Sequence, residues 1–316
     1  MNTKSIPPDG PFGPLSFHIN TYLTHVRKQG YGVCLHEFVS FLKKNGSPYI
    51  TNKLAAEYAS RREDEKPVSW SHRVGIIRGF ARYRIGADAR TEIPPLGLLR
   101  FRSQRARPYL YTQDEIRSLL KAAQRMQSPH PLQAQTYYCL FGLLAVSGMR
   151  LGEALNLQPQ DVDWEAGVLT IRGAKFGKSR LVPLHPSSRA VLLDYSRRRD
   201  EIYSRRPVDY FFVTSRGTKL EKPNLSRIFR ELSRRVGIRK PGLRHGPRLH
   251  DFRHRFAVET LLGWYRRGEK VTRRLPVLST YLGHSNVTGT YWYLSNTPEL
   301  MTAAGKLLET RWKGVL

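Results

Sequence analysis

The apolar positions at the start of the chain recur with a helical period. Ile19, Tyr22, Leu23 and Val26 form one stripe that begins near Leu15 and is stopped by Gly30. Phe38, Val39 and Leu42 form a second over 35–44, ended by Asn45-Gly46. Thr51 is placed to cap a third helix with Leu54, Ala55 and Tyr58 inward. A fourth, over 69–85, puts Val74, Ile77, Ala81 and Ile85 on one stripe and interleaves Arg73, Arg78, Arg82 and Arg84. Together they predict a small, basic, all-helical unit over 1–90.

Periodicity then fails. Pro94-Pro95 excludes regular structure, and Arg100, Arg102, Arg105 and Arg107 follow in quick succession, so 91–108 reads as a basic linker that either tracks a phosphate backbone or stays uncommitted in solvent. From 109 to 316 a second unit is predicted. It opens with a capping box, Thr112 with Glu115, before Ile116, Leu119 and Leu120. A buried helix over 135–146 and a short one through Leu155 come next. Between 162 and 184 the period changes to that of strands: Val168, Leu169 and Ile171, then Leu181, Val182 and Leu184, joined by a glycine- and lysine-bearing turn at 173–179. Helices are expected again over 187–205, 224–236, 250–265 and 274–282, with a short strand at 210–213. Thr297-Pro298-Glu299 starts a terminal helix. The fold class is therefore mainly α with a small inserted β-sheet (α+β), in two domains.

Composition adds a partner. The 316 residues include 53 Lys and Arg against 25 Asp and Glu, a net charge of +28. Self-repulsion of that size is relieved by a polyanion, and nucleic acid is the leading candidate. The charge is not in a tail: residues 1–107 hold 18 basic and 8 acidic side chains and the remainder hold 35 and 17, as expected of a clamp around a duplex. Cys34 and Cys139 lack metal-ligand or disulfide spacing, which fits a reducing cytosol. No signal peptide is legible, and the longest apolar run, near 137–146, is too short to span a bilayer.

Candidate chemistry lies in three separated segments. Arg150 sits in Ser-Gly-Met-Arg-Leu-Gly-Glu, His250 and Arg253 in His-Asp-Phe-Arg-His, and Leu-Gly-His284 is followed nine residues later by Tyr293. Tyrosine is the one potential nucleophile in this set. Cleaving a phosphodiester without metal needs an attacking oxygen, cations around the charge developing on phosphorus, and an acid for the leaving oxygen. Guanidinium suits the second task because it is planar, always charged and donates in a fork. Glu153, three residues after Arg150, either orients that guanidinium or is a solvated helix acid. His250 and His254 have metal-ligand spacing, but Arg248, Arg253 and Arg255 would repel a dication and no glutamate stands between as in His-Glu-x-x-His. Neither a metal nor an organic cofactor is expected.

At these residues the chain resembles the tyrosine recombinase, or phage-integrase, family, including chromosome-dimer resolvases. The three segments are similar to the family's two arginine boxes and its His-to-Tyr box, and residues 173–184 look like its lysine-bearing β-hairpin. The resemblance covers 109–316, and 1–90 matches the family's core-binding domain in position and size. It implies that Arg150 and Arg253 clamp the scissile phosphate, that His250 and His284 hydrogen-bond it and assist proton movement, and that Lys175 protonates the leaving 5′ oxygen. Tyr293 would attack to form a 3′-phosphotyrosine. Tyr291 is the rival nucleophile and Lys178 the rival lysine. The Thr-Tyr-Trp-Tyr-Leu-Ser wording resembles transposon-encoded members.

The implied partners are double-stranded DNA with specific recombination sites, further copies of the chain in a tetramer on paired sites, and accessory recombinases, in the bacterial cytosol at the nucleoid and away from membranes. DNA contacts are expected from Arg73, Arg78, Arg82, Arg100, Arg102, Arg105, Arg107 and Lys178. The terminal helix, with Leu300, Leu307 and Trp312, docks either on a neighbour or in cis. The connection from Ser285 to Thr290 lacks strong helix formers and is expected to be a loop that repositions Tyr293. Two alternatives stand beside this reading: a basic architectural DNA binder without chemistry, and a type IB topoisomerase acting as a monomer.

Overall fold

The computed structural model describes residues 15–26, 29–62, 65, 67–99, 108–173, 179–240, 242, 246–284, 286–295 and 298–313. The chain divides into two compact units, Met1–Arg105 and Ala106–Leu316. The first holds four helices, α1 (Leu15–Val26), α2 (Gly32–Lys44), α3 (Asn52–Ser60) and α4 (Pro67–Arg84), around a core of Ile19, Leu35, Phe38, Leu42, Tyr58, Ile77 and Phe80. Thr51 caps α3, its hydroxyl accepting from the Leu54 amide at 3.2 Å. α2 starts earlier than its stripe, at Gly32, where α1 packs closely: a Cβ there would meet Leu23 at 3.2 Å.

The end of α4 departs from the sequence pattern. Ile85 lies past the last helical residue and is 41% exposed, whereas Arg84 is buried at 8%. Burial pushes the Arg84 guanidinium below its ordinary value, with Asp88 opposing. Two of the interleaved arginines are held by this unit's own acceptors. Arg73 pairs with Glu65 and donates to the Ala59 carbonyl at 2.7 Å. Arg78 donates to the Pro94 and Pro95 carbonyls at 2.6 and 2.8 Å. Arg82 is exposed. Those bonds, with Glu92 accepting from the Asn52 amide at 2.7 Å, fasten the irregular segment after α4 to the helices. Arg100, Arg102, Arg105 and Arg107 lie outside the described residues.

The second unit runs α5 (Gln113–Gln124), α6 (Gln133–Ser147), α7 (Leu151–Leu155), β1 (Val162–Asp163), β2 (Val168–Ile171), β3 (Arg180–Pro183), α8 (Pro186–Ile202), α9 (Lys222–Arg235), α10 (Asp251–Arg266), α11 (Val271–Leu282), α12 (Thr288–Ser295) and α13 (Pro298–Lys313). The capping box of α5 is closed in both directions: Thr112 Oγ1 accepts from the Glu115 amide at 3.1 Å, and Glu115 accepts from the Thr112 amide at 2.8 Å. α6, apolar on nearly every side, is enclosed by α5, α8 and α10.

The sheet is antiparallel in the order β1-β2-β3, one strand more than the period change suggested. Leu169 faces Val182 across the ladder; these and Ile171 point inward, while Leu181 is 61% exposed. The aromatic run at 210–213 forms no strand, only an isolated bridge from Val213 to Lys219; Phe211 and Phe212 are apolar because they fill the core.

α12 is the largest departure: the connection read as a loop over 285–290 is helical from Thr288 onward, while Asn286 and Val287 are not helical. Thr290 and Tyr293 are buried at 0% and 3%, and packing on α10 and α11 outweighs the weak local propensity. α13 lies against α10 of the same chain, with Leu300 buried in a second core shared by α10, α11 and α12. The side chains of Leu307 and Trp312 are outside the described set. Among the described residues no helix is long and apolar enough to cross a membrane.

Candidate active site

Arg150 owes its position to the turn that ends α6. Gly148 takes a left-handed conformation, φ 60°, and a Cβ there would fall 2.4 Å from the Phe256 ring, so the chain can reverse only at glycine. Arg150 follows as the N-cap of α7. Its amide donates to Glu153 Oε2 and its Nη1 to Glu153 Oε1, both at 2.8 Å. The Glu153 side chain is 8% exposed and pairs with Arg150, so it is not a solvated helix acid.

His250 stands at the N-cap position of α10 without a side-chain capping bond, and Arg253 occupies the first turn, 2% exposed. The turn is anchored by the buried Asp251, which accepts from the Arg248 amide at 2.9 Å and from its guanidinium at 2.8 Å. Arg253 Nη1 donates to the Gly148 carbonyl at 2.8 Å and Nη2 to the Leu282 carbonyl at 2.6 Å.

The meeting point of these groups is the C-terminus of α11. Gly283, φ 67°, ends the helix: its amide donates to Thr280 and the His284 amide to Ser279, each at 2.9 Å. That pair of bonds is a Schellman stop, which leaves the last carbonyls of the helix without amide donors. Arginines supply them. Arg180 Nε donates to Tyr281 at 2.7 Å, Arg253 to Leu282, and Arg150 Nη2 to Gly283 at 2.7 Å, so three consecutive carbonyls each hold one guanidinium. The negative end of the helix dipole favours the same cations.

His284 comes straight after this stop. Its Nδ1 is 2.8 Å from Thr290 Oγ1 on α12, and its ring stacks on Tyr293 with centroids 6.3 Å apart and planes 19° apart. His254 is also close, its ring centroid 5.5 Å from that of Tyr293 and 4.8 Å from that of His250. Tyr293 is thus enclosed by imidazoles, while Tyr291, two residues earlier, is 51% exposed.

Charge follows from the packing. Burial works upward on the Glu153 carboxyl, but hydrogen bonds from Arg180 and the Arg150 backbone overcome it and hold it at about 2. Burial, then the neighbouring Arg150 charge, lowers Arg253 to about 10. His284 falls to about 4 through burial and the charges of Arg253, Arg150 and Arg180. His250, which keeps an exposed edge, is lowered by partial burial and by Arg253. Both imidazoles are neutral near pH 7, in a ring of fixed cations suited to an anion.

The structure therefore gathers Arg150, Glu153, His250, Arg253, His284 and Tyr293. Lys175 and Lys178 lie outside the described residues, in the sequence between β2 and β3. Sequence reasoning passed over Arg180, Thr290 and Gly283. Leu-Gly-His is a legible helix stop, but nothing local marks Arg180. Beside Arg150 and His250 a groove of about 850 Å³ is lined by Lys222, Arg230, Arg239 and Arg248. Among the described residues no group of three or more His, Cys, Asp or Glu could hold a metal ion.

Comparison with known proteins adds relatives. Residues 110–299 match the phage integrase family. The chain is 52% identical over 283 residues to the integrase/recombinase-class protein y4rB of Sinorhizobium fredii, covering 88% of this chain and 90% of that one. It is 30% identical over 260 residues to tyrosine recombinase XerD of Mycobacterium tuberculosis, covering 81% and 75%. The XerH site-specific recombinase, solved on a palindromic difH substrate after cleavage, has a TM-score of 0.66 at 20% identity over 94% of this chain and 85% of that chain, a likeness of fold.

Proposed function

This chain belongs to the phage integrase family, and from that premise we propose that it cleaves and rejoins DNA through a 3′-phosphotyrosine on Tyr293. It is a tyrosine-type site-specific recombinase. The observation that carries the residue assignment is the end of α11, where Arg150 and Arg253 are indexed on adjacent carbonyls beside a histidine stacked on Tyr293.

In the proposed reaction the Tyr293 hydroxyl oxygen bonds to the scissile phosphorus and the bond from phosphorus to the 5′ oxygen breaks. Arg150 and Arg253 have N–H donors beyond those bound to the backbone, and these face the non-bridging oxygens as the five-coordinate state gains charge. His250 and His284, neutral at the start, hydrogen-bond the phosphate, and one of the two takes up the single phenol proton. Lys175 protonates the departing 5′ oxygen. The phosphotyrosine stores the energy of the broken bond, so a 5′ hydroxyl can reverse the step onto a new strand without a cofactor.

The substrate proposed is double-stranded DNA carrying specific sites, gripped by the basic surfaces of both units; the protein self-associates to a tetramer on paired sites, with accessory recombinases as further partners. The net charge of +28 supports a polyanionic substrate. A nicked suicide duplex, which loses the fragment needed for religation, tests the reading directly. Wild-type protein should accumulate a covalent complex and Tyr293→Phe should not; equal yields would remove Tyr293 from the role. Relaxation of supercoiled plasmid with no site requirement would instead indicate a topoisomerase.

A further inference from the structure

Arg180, the third arginine at the end of α11, has no part in the chemistry above. It opens β3 and is 10% exposed. Its Nη1 and Nη2 donate to Glu153 Oε1 and Oε2 at 2.9 and 2.7 Å, and its Nε donates to the Tyr281 carbonyl at 2.7 Å. All three of its nitrogens are therefore committed to acceptors of the protein itself, in the bidentate geometry only guanidinium provides. Held in that way, the guanidinium links Glu153 to the end of α11. It places other groups.

We propose that Arg180 is a positioning residue for strand cleavage, which shares the Glu153 carboxylate with Arg150 and locks that pair to the end of α11. The inference rests on the reading of Arg150 as a ligand of the scissile phosphate. Each Glu153 oxygen serves both arginines: Oε1 accepts from Arg150 Nη1 and Arg180 Nη1, and Oε2 from the Arg150 amide and Arg180 Nη2. With the anion divided between two cations, the cluster of Arg150, Arg180, Arg253 and Glu153 keeps a net positive charge toward a bound phosphate. Without Arg180, the nearly buried carboxylate falls to Arg150 alone and competes with phosphate for that guanidinium, and the Tyr281 carbonyl loses its donor.

Gly283 shows how closely the unit is built. A Cβ at this position would lie 3.1 Å from Arg180 Nη1 and 3.3 Å from Arg150 Nη1, so both guanidiniums pack against the bare edge of the same glycine. Arg180 is also the first residue of β3. Its bond to Tyr281 ties that strand to the helix end from which His284 follows.

The test uses the full chain on the nicked duplex that wild type captures, with single-turnover rate, duplex affinity and thermal melting measured together. Arg180→Ala should bind duplex within about threefold of wild type and form covalent complex about a hundredfold more slowly. Arg180→Lys, which keeps the charge without the fork and is the variant to rely on if alanine does not fold, should remain at least about tenfold slow. Because Arg180 acts through Glu153, the double variant Glu153→Gln with Arg180→Ala should be no slower than the slower single variant, whereas independent roles would multiply. Wild-type cleavage by Arg180→Lys, or multiplicative losses in the double variant, overturns the proposal. Absence of covalent complex with wild type would instead overturn the phosphotyrosine reading.

Discussion

Arg150 and Gly283, 133 residues apart in sequence, are joined by a 2.7 Å hydrogen bond from guanidinium to carbonyl. The bond exists because Gly283 turns left-handed at the end of α11 and exposes carbonyls that no amide can reach. It makes the first arginine box depend on the third motif, which ends in Tyr293, before any DNA is present.

Gly283→Ala is the direct test of that dependence. Alanine at φ 67° is strained, and its methyl would press on both Arg180 and Arg150. Stability should fall by about 1–2 kcal/mol. Cleavage should fall further than binding, because the displaced groups are the phosphate ligands. Urea denaturation and duplex trapping measure the two effects; unchanged cleavage would separate the helix stop from the arginines.

Arg253→Lys removes a fork from a buried site. A single ammonium cannot reach both Gly148 and Leu282, so one carbonyl is left without its donor, a loss of about 1–3 kcal/mol. Covalent complex should drop by about a hundredfold or more even in protein that remains folded by circular dichroism.

The pH dependence of stability should carry the mark of His284. Its imidazole, ordinarily near 6.5, is held at about 4 by burial and by Arg253, Arg150 and Arg180. As pH falls from 6.5 toward 4 the unfolded chain takes up a proton that the folded chain refuses, so stability decreases over that window and is fully present only above it. Glu153, held at about 2, adds a second loss as pH falls from the ordinary carboxylate range toward 2. Urea midpoints for wild type and His284→Gln between pH 7.5 and 4.5 should converge as the solution is acidified. Parallel curves would refute the assignment.

Tyr291 and Tyr293 should separate by accessibility as well as by chemistry. At 51% and 3% exposed, the free protein should be nitrated at Tyr291 and protected at Tyr293 by mass spectrometry. A cognate duplex should open Tyr293 if α12 shifts to bring the hydroxyl to the phosphate. Tyr291→Phe should still form covalent complex; its loss in that variant would make Tyr291 the nucleophile.

Much of the fold was legible because helix and strand formation in this chain is signalled locally. The stripe of Phe38, Val39 and Leu42, the Thr112 capping box and the alternation through Leu169 and Ile171 each carry their meaning within a few residues. Local signals failed where burial was decided by distant partners. Arg84 is covered while Ile85 is not, Phe211 and Phe212 fill a core without forming a strand, and α12 is helical because α10 and α11 receive it.

The candidate site divides in the same way. The sequence alone determined which chemical groups are present, in four segments whose order and spacing match a phosphodiester-cleaving set. Tertiary structure decided how those groups are held: that Glu153 is a buried anion between two arginines, that Arg180 belongs with them, and that Tyr293 lies enclosed by His284 and His254. The physical reason is the unmet hydrogen-bonding capacity of a helix end. Gly283 can be read from the sequence as a stop, but the donors that complete it come from α7, β3 and α10, and only folding brings them to the same three carbonyls.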